Sequence, residues 1–249
     1  MKPGKSIRLD VALVERRLVS TRSRARDLIG RGFIEVDGML ASKAAAPVTS
    51  KTIIRLSENT PCYVSRGGEK LVAALDHFKF VVEARRCLDI GASTGGFTDA
   101  LLQRGALRIT AVDVGHGQLD AALLGRPEVT NLEGTDARQL TTAKIGGQVD
   151  AVVIDVSFIS MLKVLPFILP LCAPGCWLVG LVKPQFEVGP AHIGKGGIVT
   201  SEAARQMALR SILEWFAANP AWMVHGTLLS PLLGGSGNRE YLVGAERRD

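Results

Sequence analysis

The sequence predicts an α/β protein: a large domain built on a parallel sheet with helices on both faces, preceded by a small, basic α+β module. Three observations carry that expectation. Apolar runs of strand length alternate with helix-period segments from Arg86 onward, the order that a parallel sheet requires. A glycine-rich turn, G-A-S-T-G-G over residues 91–96, stands between the first such run and the first helical segment. Charge is also unevenly placed: residues 1–60 carry 12 Lys/Arg against 6 Asp/Glu, while the rest of the chain carries 18 of each. The whole net charge of +6 therefore sits in the first quarter, as expected of a module that grips a polyanion. The expected division is 1–60 and 61–249.

At 249 residues, 47% hydrophobic and 22% charged, the chain can bury a full core. The N-terminus, M-K-P-G-K-S-I-R-L-D, lacks the apolar core of a signal peptide. Cys62, Cys87, Cys172 and Cys176 show neither C-x-x-C spacing nor disulfide density, so a reduced cytoplasm is expected and no metal. One run, Val164 to Val182, holds 19 residues without a charge, the length of a spanning helix. Pro166, Pro170, Pro174 and Gly175 break it, so no membrane span is expected.

In the first module, Leu9, Ala12 and Leu13 recur at helical spacing, as do Ala25, Leu28 and Ile29, with Ser20 or Thr21 available as an N-cap between them. Gly32 stops the second helix. Phe33, Ile34 and Val36 lead into a hairpin-type turn at Asp37-Gly38, and Ile53 to Leu56 closes the unit. Arg22, Arg24, Arg26 and Arg31 occupy the arc left free by the second helix's apolar stripe. This pattern over Ser6 to Leu56 resembles the RNA-binding domain named after the fourth small-subunit ribosomal protein. The resemblance implies that the second helix and the hairpin bind folded RNA through its backbone and shape, with Arg8, Arg22 and Lys43 facing phosphate.

After a connector, Ser57 to Tyr63, the alternating segments run Arg86–Ile90, Phe97–Arg104, Arg108–Val114, Gln118–Leu124, Val129–Glu133, Val149–Val156, Ser160–Leu171 and Cys176–Val182. A glycine-rich loop, Phe186 to Val199, precedes a helix over Ser201 to Ala217. The runs Trp222 to Leu229 and Glu240 to Val243 close the chain as an antiparallel pair.

The glycine turn limits the ligand. It lacks the G-x-x-x-x-G-K-S/T of a phosphate-cradling loop, and G-x-x-x-G-G fits a dinucleotide's G-x-G-x-x-G poorly. S-adenosylmethionine needs close backbone approach and no phosphate nest, which Gly91, Ser93, Gly95, Gly96 and Phe97 would give it. Asp113, 22 residues after Gly91 at the end of I-T-A-V-D, can take both ribose hydroxyls of an adenosine, a feature shared with nicotinamide enzymes. Asp136, after the third strand, is placed where methyltransferases set a side chain beside the adenine amino group.

Methyl transfer to an alcohol needs an oxygen held in line with the methyl carbon and relieved of its proton. Asp155 ends the strand D-A-V-V-I-D and Lys183 ends L-V-G-L-V-K, so both are expected at the strand edge where ligands sit in open α/β sheets. Glu240 begins the last strand, and Lys70 lies in S-R-G-G-E-K-L ahead of the first.

Those pieces in order, S-R-G-G-E-K-L, L-D-I-G-A-S-T-G-G-F-T, D-V-G-H-G-Q-L, D-V-S-F-I-S, L-V-K-P-Q-F-E and G-N-R-E-Y, resemble the TlyA family of bacterial ribosomal RNA 2′-O-methyltransferases. The large domain also resembles the FtsJ-type methyltransferases, whose Lys-Asp-Lys-Glu tetrad falls on Lys70, Asp155, Lys183 and Glu240. The resemblance implies a Rossmann-like domain using S-adenosylmethionine, a cytidine 2′-hydroxyl in ribosomal RNA or ribosomal subunits as substrate, and Arg66 as a further RNA-facing cation. Members of this family are often labelled hemolysins. A membrane-active cytolysin would need a secretion signal or an insertion element, and the sequence offers only the proline-broken run. An inactive RNA-binding relative is disfavoured by the intact tetrad.

Overall fold

A computed structural model describes residues 6–248. Two compact units divide between Val64 and Ser65. Each has its own apolar core, around Leu9, Leu13, Leu28 and Ile34 in the first unit and Leu88, Val152, Leu178 and Val243 in the second.

In the first unit, β1 (Ile7–Arg8) leads into α1 (Leu9–Glu15), followed by α2 (Arg22–Gly30), β2 (Ile34–Val36), β3 (Met39–Leu40), β4 (Pro47–Val48) and β5 (Ile54–Leu56). Thr21 caps α2, its Oγ1 accepting the Arg24 N–H at 3.1 Å. Both Asp37 and Gly38 adopt positive φ, as a tight hairpin turn between β2 and β3 requires. β2 pairs antiparallel with β3 and β5, and β1 with β4.

The second unit opens with a 13-residue helix, α3 (Arg66–Phe78), over a stretch ahead of the alternating segments that the sequence pattern predicts. Two glycines at its start obscure the stripe Leu71, Ala74, Leu75 and Phe78, which is buried. Then follow β6 (Arg86–Ile90), α4 (Gly96–Gln103), β7 (Arg108–Val112), α5 (Ala121–Leu124), β8 (Val129–Leu132), β9 (Val149–Ile154), α6 (Leu165–Ile168), β10 (Cys172–Val182), α7 (Pro184–Glu187), α8 (Glu202–Ala217), β11 (Trp222–Leu229) and β12 (Tyr241–Arg247).

Seven strands form one sheet in the order β11-β12-β10-β9-β6-β7-β8. It is a mixed rather than purely parallel Rossmann-like sheet, because β12 inserts antiparallel between β10 and β11. The segment Ser160–Leu171 is not one helix: its prolines divide it into a 3-10 turn, the short α6 and a second 3-10 turn. Pro174-Gly175, which breaks the charge-free run, lies within a strand. It is absorbed as a register shift inside the 11-residue β10. No helix among the described residues is long and apolar enough to cross a membrane.

Candidate active site

Strand order reverses between β6 and β9, since β7 and β8 lie to one side of β6 and β10 to the other side of β9. A crevice opens at the carboxyl ends of the strands at such a point. Here it is a cavity of about 600 Å³ lined by Gly91, Ser93, Asp113, Gln118, Asp136 and Asp155 among others, within the ~300–1,000 Å³ range of small-molecule sites. Gly91, at φ +83°, has no room for a side chain: a Cβ there would lie 2.6 Å from the Asp155 carbonyl oxygen.

The carboxylate of Asp113 is fixed by two backbone donors, Ser93 N–H at 2.8 Å and Gly115 N–H at 2.7 Å. A carboxylate has about four lone-pair sites, so two stay available for a diol. Glu133 steadies the next loop by accepting the N–H groups of Gly117, Gln118 and Leu119, which hold it below its ordinary pKa. Asp136 also lines the cavity, but Arg138 engages both its oxygens and lowers its pKa.

The rest of the glycine turn is placed differently from the sequence expectation. Gly95 packs toward Leu119 and Leu123, and Gly96 faces α3, where a Cβ would meet Gly68 N at 3.0 Å. Phe97 is buried against Gly67. Gly96 and Phe97 let α3 and α4 approach each other, Gly95 makes room for Leu119 and Leu123, and none of the three lines the cavity.

Beside the cavity the sheet sets Asp155, Lys183 and Glu240 at the ends of neighbouring strands, and α3 brings Lys70 to the last of them. β12 runs antiparallel to β10 with Val182 opposite Tyr241, so one step further Lys183 stands opposite Glu240. Asp155 follows β9 on the other side of β10. Lys183 Nζ lies 2.6 Å from Asp155 Oδ1 and donates to Ser157 Oγ at 2.8 Å. Lys70 Nζ, from α3, donates to Glu240 Oε2 at 2.5 Å. Lys70 and Glu240 are buried, whereas the Lys183 and Asp155 side chains are 12% and 25% exposed. One pair is thus sealed and the other is open to a substrate.

The sequence reading passed over several neighbours of these four residues. Phe158 is 92% exposed and, though not glycine, sits at φ +64°. Strain of that kind persists where surrounding structure enforces it and concentrates at functional sites. Its ring lies 5.3 Å from that of Phe186, and it lines both the first cavity and a second, of about 760 Å³, on the far side. Glu187 ties the loop down, accepting from Ser160 Oγ and Met161 N–H, and burial raises its pKa. Buried Asn238 accepts from Val199 N–H and donates to the Gly197 carbonyl, joining the loop ahead of Glu240 to the glycine-rich loop. The only sequence signal for Ser157 and Phe158 was their place in D-V-S-F-I-S, of which Asp155 alone was read.

In the first unit Arg8 and Arg22 converge on Asp10, while Lys43 is exposed in a turn. Arg66 opens α3 in the second unit, near Gly235.

The FtsJ-like methyltransferase family matches residues 63–247, and the S4 domain matches residues 7–54. The chain is 45% identical, over 95% of its own length and 88% of the relative's, to a Mycobacterium tuberculosis protein named 16S/23S rRNA (cytidine-2′-O)-methyltransferase TlyA. It is 37% identical to Hemolysin A of Brachyspira hyodysenteriae, over 95% and 98% of the two chains. The solved structure of a Streptococcus thermophilus protein that carries a hemolysin label superposes with a TM-score of 0.77 at 37% identity, covering 98% of this chain and 89% of that one. By these matches over nearly its whole length, the chain belongs to the TlyA group of FtsJ-like methyltransferases.

Proposed function

We propose that the protein transfers a methyl group from S-adenosylmethionine to the 2′-hydroxyl of a cytidine in ribosomal RNA, and that it works in the cytoplasm. The observation that carries this reading is the row Asp155, Lys183, Glu240 and Lys70 beside the cavity at the strand ends. The name of the M. tuberculosis relative supplies the substrate class. The cavity suits the methyl donor: its volume fits, and Asp113 offers a prearranged carboxylate for a ribose diol. When bound, S-adenosylmethionine supplies a methyl group on a positively charged sulfur.

The protein's part is to place and activate the oxygen. Phe158 and Phe186 offer aromatic surface at the cavity mouth, on which a base can stack while its ribose reaches Lys183. Lys183 Nζ orients the 2′-oxygen and, having first released a proton to solvent, receives the hydroxyl proton as a neutral amine, while Asp155 and Ser157 fix the direction in which that nitrogen points. Held by Asp113, S-adenosylmethionine would give its methyl group to that oxygen and keep the electron pair of the carbon–sulfur bond. The Lys70–Glu240 pair holds the start of β12 against α3, one residue across from Lys183.

The test incubates the full chain and labelled S-adenosylmethionine with small subunits, large subunits and whole ribosomes from a host lacking the enzyme. Ribose methylation at one or a few cytidines is the expected result. Label in bases, or none in RNA, would overturn the reading.

A further inference from the structure

Asp10 lies in the first turn of α1 and its side chain is fully buried. A buried carboxylate needs a positive partner, and one arginine fork suffices to neutralise it. Here three converge. Arg8 donates from Nε at 2.9 Å and from Nη2 at 3.2 Å, Arg22 from Nη2 at 3.0 Å, and Arg26 from Nε at 3.0 Å. Arg22 and Arg26 are one turn apart on α2, so the helix presents them on a single face. The three side chains are 47%, 50% and 55% exposed.

Three cations on one anion leave two positive charges uncompensated at one point of the surface. Like charges gathered this closely repel, and a further anion placed among them relieves that repulsion. A guanidinium has five N–H donors in a rigid fork, and Asp10 occupies no more than two on any of these arginines. We propose that Asp10 gathers Arg8, Arg22 and Arg26 into one site for the phosphodiester backbone of folded RNA, with Arg26 as an RNA-contacting residue and Asp10 as a positioning residue. The inference rests on the ribosomal RNA reading above. The hydrogen bonds from Arg8, then Arg22 and Arg26, hold the Asp10 carboxyl well below the usual carboxylate range, so it is charged near neutral pH.

Net charge and positioning make opposite forecasts for Asp10→Asn. The substitution adds one positive charge, so electrostatics alone forecasts tighter binding to every polyanion. Positioning forecasts that binding to heparin, an unstructured polyanion, holds or tightens while binding to unmodified ribosomal RNA weakens about tenfold or more. Affinities of the full-length chain for both probes are measured over a salt series, with circular dichroism as the folding check. Arg26→Ala is expected to weaken ribosomal RNA binding and to reduce the salt slope by about one.

Asp10→Asn protein that binds ribosomal RNA as tightly as wild type, or Arg26→Ala with an unchanged slope, overturns the proposal. If Asp10→Asn does not fold, Arg26→Ala decides alone, since Arg26 is half exposed and lies outside the core. Arg8→Ala and Arg22→Ala separate the two levels of inference. Weakened binding in these, with none in Arg26→Ala and Asp10→Asn, rejects only the shared site. Unchanged binding in all four rejects RNA binding by this unit.

Discussion

Lys183 is held from two sides, by Asp155 at 2.6 Å and Ser157 at 2.8 Å, and its side chain keeps 12% of its surface exposed. Lys183→Ala should therefore lose methyl transfer by at least the roughly 10²-fold typical of a general base, with cofactor and RNA affinities near wild type. Lys183→Arg should fail as well, because a guanidinium cannot give up its proton near neutral pH and so offers no base to receive one. Single-turnover rates on ribosomal subunits check both, and an active Lys183→Arg enzyme would leave Lys183 only a positioning role. The sealed pair behaves differently. Removing one partner, as in Glu240→Leu, leaves a buried charge and should cost about 3 to 5 kcal/mol in urea unfolding, whereas Lys70→Met with Glu240→Leu should recover most of that. Recovered activity along with recovered stability is the expected outcome for a pair that holds β12 against α3; activity that stays lost would give the pair a part in the chemistry itself. Asp155, Lys183 and Glu240 were legible in the sequence because each is a charge at the end of an apolar run. Ser157, Phe158 and Asn238 were not, since their roles depend on loop conformations and partners far away in the chain, such as Val199 for Asn238.

At the scale of single elements, β6 carries a carboxyl into the core of the sheet. Asp89 is fully buried, accepts from Thr98 Oγ1 at 2.6 Å through one oxygen, and is pushed up to about 7 by burial. An unfolded aspartate loses its proton near pH ~3.9. Between there and about 7 the native state keeps a proton that the unfolded chain has released, so stability from this group is full below the window and falls as pH rises through it. Asp89→Asn removes that slope. Relative to wild type, the variant should gain up to about 1.4 kcal/mol per pH unit across the window, and urea unfolding at pH 5 and pH 8 reads it. Parallel pH profiles for the two proteins would refute the assignment. The strands themselves were read well, because β6, β9 and β10 are apolar runs buried on both faces. The helices were read less evenly. Two glycines concealed the start of α3, and prolines cut one expected helix into three short turns. The place of β12 between β10 and β11 depends on long-range pairing that no local pattern encodes.

Across the whole molecule, charge and chemistry are segregated. The excess of +6 belongs to residues 1–60, which match the S4 domain in large part, while the cavity and the row Asp155, Lys183, Glu240 and Lys70 lie in the neutral remainder. We propose that affinity for RNA and methyl transfer divide along the same line, with the boundary near residue 60. Each unit has its own apolar core, so a chain beginning at Ser65 should fold and bind S-adenosylmethionine with near wild-type affinity by calorimetry. The same chain should lose most of its affinity for ribosomal RNA and, with it, the steep salt dependence that several released counterions impose. Methylation by the truncated chain should then fall most at physiological salt and least at low salt, where weak residual contacts to phosphate suffice. The decisive comparison is methylation of ribosomal subunits by full-length and truncated protein across a salt series. Equal rates at moderate salt would show that the second unit recognises RNA by itself and that the basic unit serves another purpose. Loss of cofactor binding on truncation would instead show that the two units cannot be separated functionally.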